Sequence, residues 1–160
     1  SLNNQPSSRV VLLRGVLEKS FVFYTNYSSA KAKDLDENKN VSLNFFWPYL
    51  EKQVRIKGVV SKLSDLESDT YFKSRPISSQ LGAHSSEQSS SLPLNFSFDK
   101  IVNSLEEKYK NKDVGRPVFW GGYMIEISYF EFWQGRPSRL HDRLCYTLVD
   151  GVWTIERLSP

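Results

Sequence analysis

Apolar and polar positions change period along the chain, and the changes mark out its elements. The runs Arg9 to Leu13 and Phe21 to Thr25, parted by the polar, glycine-containing stretch Arg14 to Ser20, predict a β-hairpin. Strong helix formers from Ala30 to Asn38 predict a short helix before a strand at Val41 to Phe46. Val54 and Ile56 alternate with Arg55 and Lys57, the period of a half-buried strand continuing towards Val60. Ser64 with Glu67 three positions on forms a capping box, and the helix it opens should stop at Arg75 because Pro76 disfavours helical geometry in its predecessor.

The stretch from Ile77 to Leu94 is rich in Ser and Gln and reads by composition as a flexible loop. Phe98, Ile101, Val102, Leu105 and Tyr109 fall at helical spacing and predict a surface helix with one buried stripe. Tyr123, Ile125, Ile127 and Tyr129 alternate with Met124, Glu126 and Ser128, so a strand over 122–130 follows a break at Gly121-Gly122. Strands at Leu144 to Val149 and Val152 to Leu158 flank Asp150-Gly151, a type I′ hairpin signal. Five or six mostly antiparallel strands with flanking helices imply a mainly β fold, a small closed or split barrel forming a single domain over the 160 residues.

Composition narrows the function. A hydrophobic share of 39% and aromatics at 14% suit a globular protein, and a net charge of +3 without clustered Lys and Arg does not mark a nucleic-acid binder. A few cleft arginines for a small anion would fit that balance equally well. Cys145 is the only cysteine, so neither an internal disulfide nor a cysteine-rich zinc site is available, and a reducing, cytoplasmic setting is expected. No apolar run approaches the roughly 18 residues of a membrane span. The chain opens at Ser1 in a polar Asn-Asn-Gln-Pro stretch that is expected to lead directly into a strand.

Two constellations could carry chemistry. Tyr71 and Arg75, four apart on one helix face, with Ser79 just beyond the proline, would make a phosphate clamp, although a surface arginine and a packed tyrosine would give the same spacing. Glu131-Phe-Trp-Gln-Gly-Arg-Pro-Ser-Arg-Leu-His-Asp-Arg143 packs Trp133, three arginines and a histidine into thirteen residues. In an extended segment Arg139 and His141 share a face and Leu140 points into the core; an arginine and aspartate network pinning a strand is the competing account. His84 and His141 lack a second ligand at metal spacing, and there is no P-loop, dinucleotide fingerprint or nucleophile elbow. Cys145 reads as a packed strand residue.

Arg9-Val-Val-Leu-Leu, Phe23-Tyr-Thr-Asn26, Gln53-Val-Arg55, Tyr71-Phe-Lys-Ser-Arg-Pro76, Ser79-Gln-Leu-Gly82, Gln88-Ser89, Trp120-Gly-Gly122, Glu131-Phe-Trp-Gln-Gly135, Arg139-Leu-His-Asp-Arg143 and Arg157-Leu-Ser-Pro160 stand in an order and spacing that resembles the pyridoxamine 5′-phosphate oxidase family. The resemblance implies an FMN-binding split barrel working as a homodimer, with each flavin between subunits. It implies FMN contacts from Arg9, Val10, Val11, Leu12, Leu13, Tyr24, Thr25, Lys31 and Gln53 of one subunit, and from Gln88, Ser89, Trp133 and Arg143 of the other. It assigns Arg14, Tyr71, Arg75 and Ser79 to the substrate phosphate and Arg139, Leu140 and His141 to the substrate ring, with Arg139 orienting the reacting carbon and His141 accepting a proton.

The implied reaction is hydride transfer from pyridoxine or pyridoxamine 5′-phosphate to the flavin, followed by reduction of O2 to H2O2; no metal is implied. A carrier of FMN or pyridoxal phosphate with little turnover, or a flavin reductase using another donor, would be alternatives on the same fold. Two positions depart from the family pattern: Arg14 stands for a lysine, and Ala30-Lys31 for an Arg-Lys pair. Losing one charge-assisted hydrogen bond at Ala30 should weaken FMN binding roughly tenfold. The family's amino-terminal portion, with a first barrel strand, is not represented, which would leave an open sheet edge.

Overall fold

A computed structural model describes residues 5–160; the Asn-Asn pair at positions 3 and 4 lies outside the described residues. Among the described residues seven strands make one antiparallel sheet: β1 (Gly15–Leu17), β2 (Ser20–Asn26), β3 (Asn40–Trp47), β4 (Lys52–Lys62), β5 (Trp120–Gln134), β6 (Asp142–Val149) and β7 (Val152–Arg157). Four α-helices accompany it among the described residues, α1 (Ala30–Glu37), α2 (Asp65–Ser74), α3 (Ile77–Ser85) and α4 (Asp99–Lys108). The strand order is β1-β2-β5-β4-β3, with β6 on β5 and β7 on β6.

β5 organises the fold. Its first half pairs with β2, from Asn26↔Trp120 to Ser20↔Glu126, and its last residues pair with β6, from Tyr129↔Thr147 to Gln134↔Asp142. β4 runs along its other side from Lys62↔Tyr123 to Lys52↔Gln134. Two strands thus share one side of β5 in succession, so the sheet splits there and does not close into a full barrel.

Cross-strand parity assigns the two cores. Phe23 and Tyr123 stack at 5.5 Å and, with Ala32 of α1, Val60 and Ile125, form one buried cluster. Trp120 instead joins Phe72 of α2, Leu81 of α3 and Val114 in a second, with Tyr24 and Tyr71 packed against it. Local signals set the helix ends. Ser29 caps α1, accepting from the Ala32 amide, and Ser64 and Glu67 make the reciprocal capping box of α2.

Several expectations need correction. Residues 9–13 form no strand: the hairpin turns at Glu18-Lys19, and upstream of Gly15 only the Arg14 amide still pairs, with Val22 O at 2.8 Å. The segment leaves the sheet because Val11 packs on the α1 cluster and Arg9 pairs with Asp34 of α1 at 3.2 Å. The Ser and Gln stretch is helical over Ile77–Ser85, since burial of Leu81 and Gln80 outweighs weak propensity. Gly121 and Gly122 lie inside β5; a Cβ on Gly121 would come within 2.1 Å of the Tyr27 hydroxyl and one on Gly122 within 2.5 Å of Leu63, so glycine here permits close packing. The α4 stripe is only half-buried, at Val102, Leu105 and Tyr109. Asp150 and Gly151 hold φ of 50° and 80°, as a type I′ turn requires.

Candidate active site

The first group of candidate residues gathers where β2, the start of β5 and α2 meet. A cavity of about 440 Å³, within the usual range for small-molecule pockets, is lined by Val10, Val11, Leu12, Arg14, Tyr24, Thr25, Lys31, Tyr71, Arg75, Ser79, Gln88 and Trp120 among others. Lys31 is only 9% exposed, and its ammonium donates to Thr25 Oγ1 at 2.9 Å, Ser29 Oγ at 3.2 Å and Gln88 Oε1. Burial, helped by the nearby Arg9 charge, pushes the Lys31 ammonium below the usual lysine range.

Arg75 closes the other end of this cavity. Its guanidinium lies 4.6 Å from the Trp120 ring centre, its Nη1 is buried without a partner among the described residues, and burial lowers its pKa. Tyr71 stacks on Tyr24 at 3.8 Å, fixing the phenol beside it. Among the described residues no carboxylate stands within ion-pair distance of Arg14, Lys31 or Arg75. Three cations on an acid-free wall that also carries the Thr25, Tyr71 and Ser79 hydroxyls are suited to phosphate groups.

A second group sits at the far end of β5. Gln53, Trp133 and Arg143 are direct cross-strand neighbours on β4, β5 and β6. His141 lies beside the Trp133 ring at 4.7 Å, and its Nδ1 accepts the Arg136 amide at 3.1 Å. The neutral ring therefore carries its proton on Nε2, which it offers as a donor; service as an acceptor there would require giving up the Arg136 bond. Arg139 and His141 do not share an extended face, because Pro137–Arg139 is a tight turn with Ser138 and Arg139 both left-handed, at φ 57° and 61°. The same turn leaves Leu140 69% exposed, not in the core. The competing network exists as well: Asp142 accepts from Arg136 at 2.7 Å and Arg157 at 2.9 Å.

Trp120 and Trp133 are the two ends of this geometry, up to about 40 Å apart along β5 at roughly 3.3 Å per residue. The grouping within one chain differs from that implied by the resemblance. Gln88 bonds Thr25 and Lys31, and Ser89 Oγ accepts the Ala30 amide at 3.2 Å, so both belong with the first group; Gln53 belongs with the second. Arg9 is engaged by Asp34, and Val10 and Leu13 are exposed, Val10 at 93%. Trp120 and Glu131 were visible only as letters inside motifs; nothing in their spacing marks one as the platform for Arg75 or the other as a buried carboxylate.

The donors fit a flavin mononucleotide: Lys31, Thr25, Gln88 and Ser89 suit its phosphate and ribityl chain, and Gln53, Trp133 and Arg143 offer an amide, an aromatic edge and a cation for its ring system.

Comparison with known proteins shows the family and the fold. Residues 1–111 match the family model for pyridoxamine 5′-phosphate oxidase, and residues 120–160 match that for the pyridoxine 5′-phosphate oxidase C-terminal dimerisation region. Pyridoxine/pyridoxamine 5′-phosphate oxidase of Acaryochloris marina is 51% identical over 160 residues, spanning 100% of this chain and 73% of the relative. The Christiangramia forsetii oxidase is 50% identical over 97% of this chain and 72% of its own length. Among solved structures, PhzG from Burkholderia lata, in complex with tetrahydrophenazine-1-carboxylic acid, superposes with a TM-score of 0.88 at 27% identity, over 96% of this chain and 75% of that one. A pyridoxamine 5′-phosphate oxidase-related, FMN binding protein from Nostoc punctiforme shares the fold, with a TM-score of 0.80 at 16% identity over 99% and 84% of the two chains. With both family models matched and half of its residues shared with these oxidases, the chain belongs to the pyridoxine/pyridoxamine 5′-phosphate oxidase family.

Proposed function

We propose that this protein oxidises pyridoxine 5′-phosphate or pyridoxamine 5′-phosphate to pyridoxal 5′-phosphate, using FMN and O2 and releasing H2O2, as a homodimer in the cytoplasm. The observation that carries the reading is the acid-free cavity with Arg14, Lys31 and Arg75 at one end of β5 and the Arg139, His141 and Trp133 group at the other. A two-fold partner can lay its second group over the first group of this chain, giving two composite sites per dimer. The match of residues 120–160 to a dimerisation region supports that arrangement.

In this reading Arg75, Tyr71, Ser79 and Arg14 grip the substrate phosphate, while Lys31, Thr25, Gln88 and Ser89 hold the cofactor's phosphate and ribityl end, with the segment Arg9 to Leu13 alongside. Gln53, Trp133 and Arg143 flank the flavin from the partner. When bound, FMN supplies the hydride acceptor and passes the electrons to O2. The protein's own part is orientation and charge: Arg139 sets the reacting carbon, Leu140 contacts the ring, and His141 holds a proton on Nε2 for a substrate oxygen or ring nitrogen.

Anaerobic titration of the FMN-loaded protein with pyridoxine 5′-phosphate tests the reading. The visible flavin band should bleach, and admitting air should restore it with release of peroxide. Ligand binding that leaves the flavin oxidised would identify a carrier. Bleaching by tetrahydrophenazine-1-carboxylic acid, with none by pyridoxine 5′-phosphate, would move the protein towards the ligand held by the PhzG neighbour.

A further inference from the structure

Behind Arg143 lies a carboxylate that the reaction scheme does not use. Glu131, in the middle of the β5 segment paired to both β4 and β6, is 3% exposed. Its Oε1 accepts Arg143 Nε at 3.0 Å, and its Oε2 accepts Arg55 Nη2 and the Tyr129 hydroxyl, the latter at 3.1 Å. Arg143 Nη1 donates to Ser159 O at 2.8 Å. Nε and Nη1 are thereby committed, and Nη2 is the nitrogen of Arg143 without a partner among the described residues. Arg55 and Arg143 come from the two strands that flank β5, and both lie on the sheet face that carries Gln53 and Trp133.

Resting on the reading that Arg143 meets the cofactor, we propose that Glu131 is a positioning residue for FMN. It locks the Arg143 guanidinium into a single orientation with Nη2 outward, and it neutralises one of the two arginine charges beneath the flavin site. Strand pairing alone does not call for such a group: the β4, β5 and β6 backbones are already held by continuous ladders on both sides of Glu131, and a buried ion pair is by itself a weak source of stability. What the carboxylate adds is a fixed direction for a planar donor fork.

The test uses the full chain stripped of FMN, with FMN affinity read from quenching of flavin fluorescence and folding from the thermal transition of the apoprotein. Glu131→Gln keeps the side-chain shape and removes the charge; it should weaken FMN binding roughly tenfold. In an Arg143→Gln background the same change should alter affinity less than about twofold, because its route of action is already gone. An equal loss in both backgrounds, or a lowered thermal transition with unchanged FMN affinity, would show a structural role only and overturn the proposal. Arg143→Lys, which retains the charge without the fork, provides a second arm should Glu131→Gln not fold: it should also lose roughly tenfold, and wild-type affinity would overturn the positioning role. If Arg143→Gln itself binds FMN normally, the assignment of Arg143 to the cofactor fails, an outcome separate from a failure of Glu131 alone.

Discussion

Arg75 has a buried Nη1 without a partner and no acid at ion-pair distance among the described residues, so the folded chain bears the cost of burying that charge and a bound phosphate would offset it. Arg75→Gln should lower kcat/KM for pyridoxine 5′-phosphate roughly ten- to hundredfold. Steady-state assays comparing phosphorylated and unphosphorylated pyridoxine check this, since any turnover of the unphosphorylated form should hardly change. Ala30 is exposed at a neighbouring cavity of about 540 Å³ with Ser28, Gln88 and Ser89, where an arginine can be accommodated. Ala30→Arg should tighten FMN binding roughly tenfold, measured by fluorescence quenching; an unchanged affinity would show that this position does not reach the cofactor. Tyr71, Arg75 and Ser79 line one cavity, and spacing alone puts only the first two side by side, one helical turn apart. His141's proton position was not readable, for it depends on a backbone amide five residues earlier that a tight turn brings to Nδ1.

At the scale of elements, the capping box of α2 is a local device, and Ser64→Ala should cost about 1 kcal/mol of stability, seen as a lowered midpoint in urea with an unchanged slope. The Arg55, Glu131 and Arg143 set ties three strands together and makes stability depend on pH. Burial pushes the Glu131 carboxyl up, but hydrogen bonds from Arg143 and Arg55 outweigh it, leaving the group below the usual 4.5. A carboxyl depressed in the folded state contributes fully above its unfolded value and loses that contribution as pH falls through the folded one. The wild-type thermal midpoint should therefore fall more steeply than that of Glu131→Gln as pH drops below 4.5, in scanning calorimetry. Period-two alternation located β4 and β5 to within a few residues because their alternate positions differ in burial, and the Asp150-Gly151 turn signal located β6 and β7. α3 escaped notice because its helix is held by tertiary contacts: Gln80 Nε2 donates to the carbonyls of Lys73 and Arg75, closing the end of α2, while Leu81 fills the Trp120 cluster.

For the whole molecule, the separation of the two groups along β5 makes a direct prediction about assembly. An Arg75→Gln chain and an Arg139→Gln chain, each nearly inactive alone, should regain about a quarter of wild-type activity when unfolded together and refolded as a mixture, since half the dimers would be mixed and each would hold one intact site. No recovery would mean that both groups serve a site within one chain. Exposed apolar residues that share one face of the far part of the sheet, Phe132, Leu144 and Ile155, are consistent with a face that a partner covers.

The sequence by itself determined the β6–β7 hairpin, the capping box of α2 and the alternating strands β4 and β5, because each of these follows from interactions within a few positions of chain. Only the tertiary structure decided that residues 9–13 leave the sheet for α1, that Gln88 joins Lys31 while Gln53 joins Trp133, and that Glu131 stands buried between two arginines. Those outcomes depend on which strands become neighbours and which side chains are shut away from water, and no local pattern encodes either.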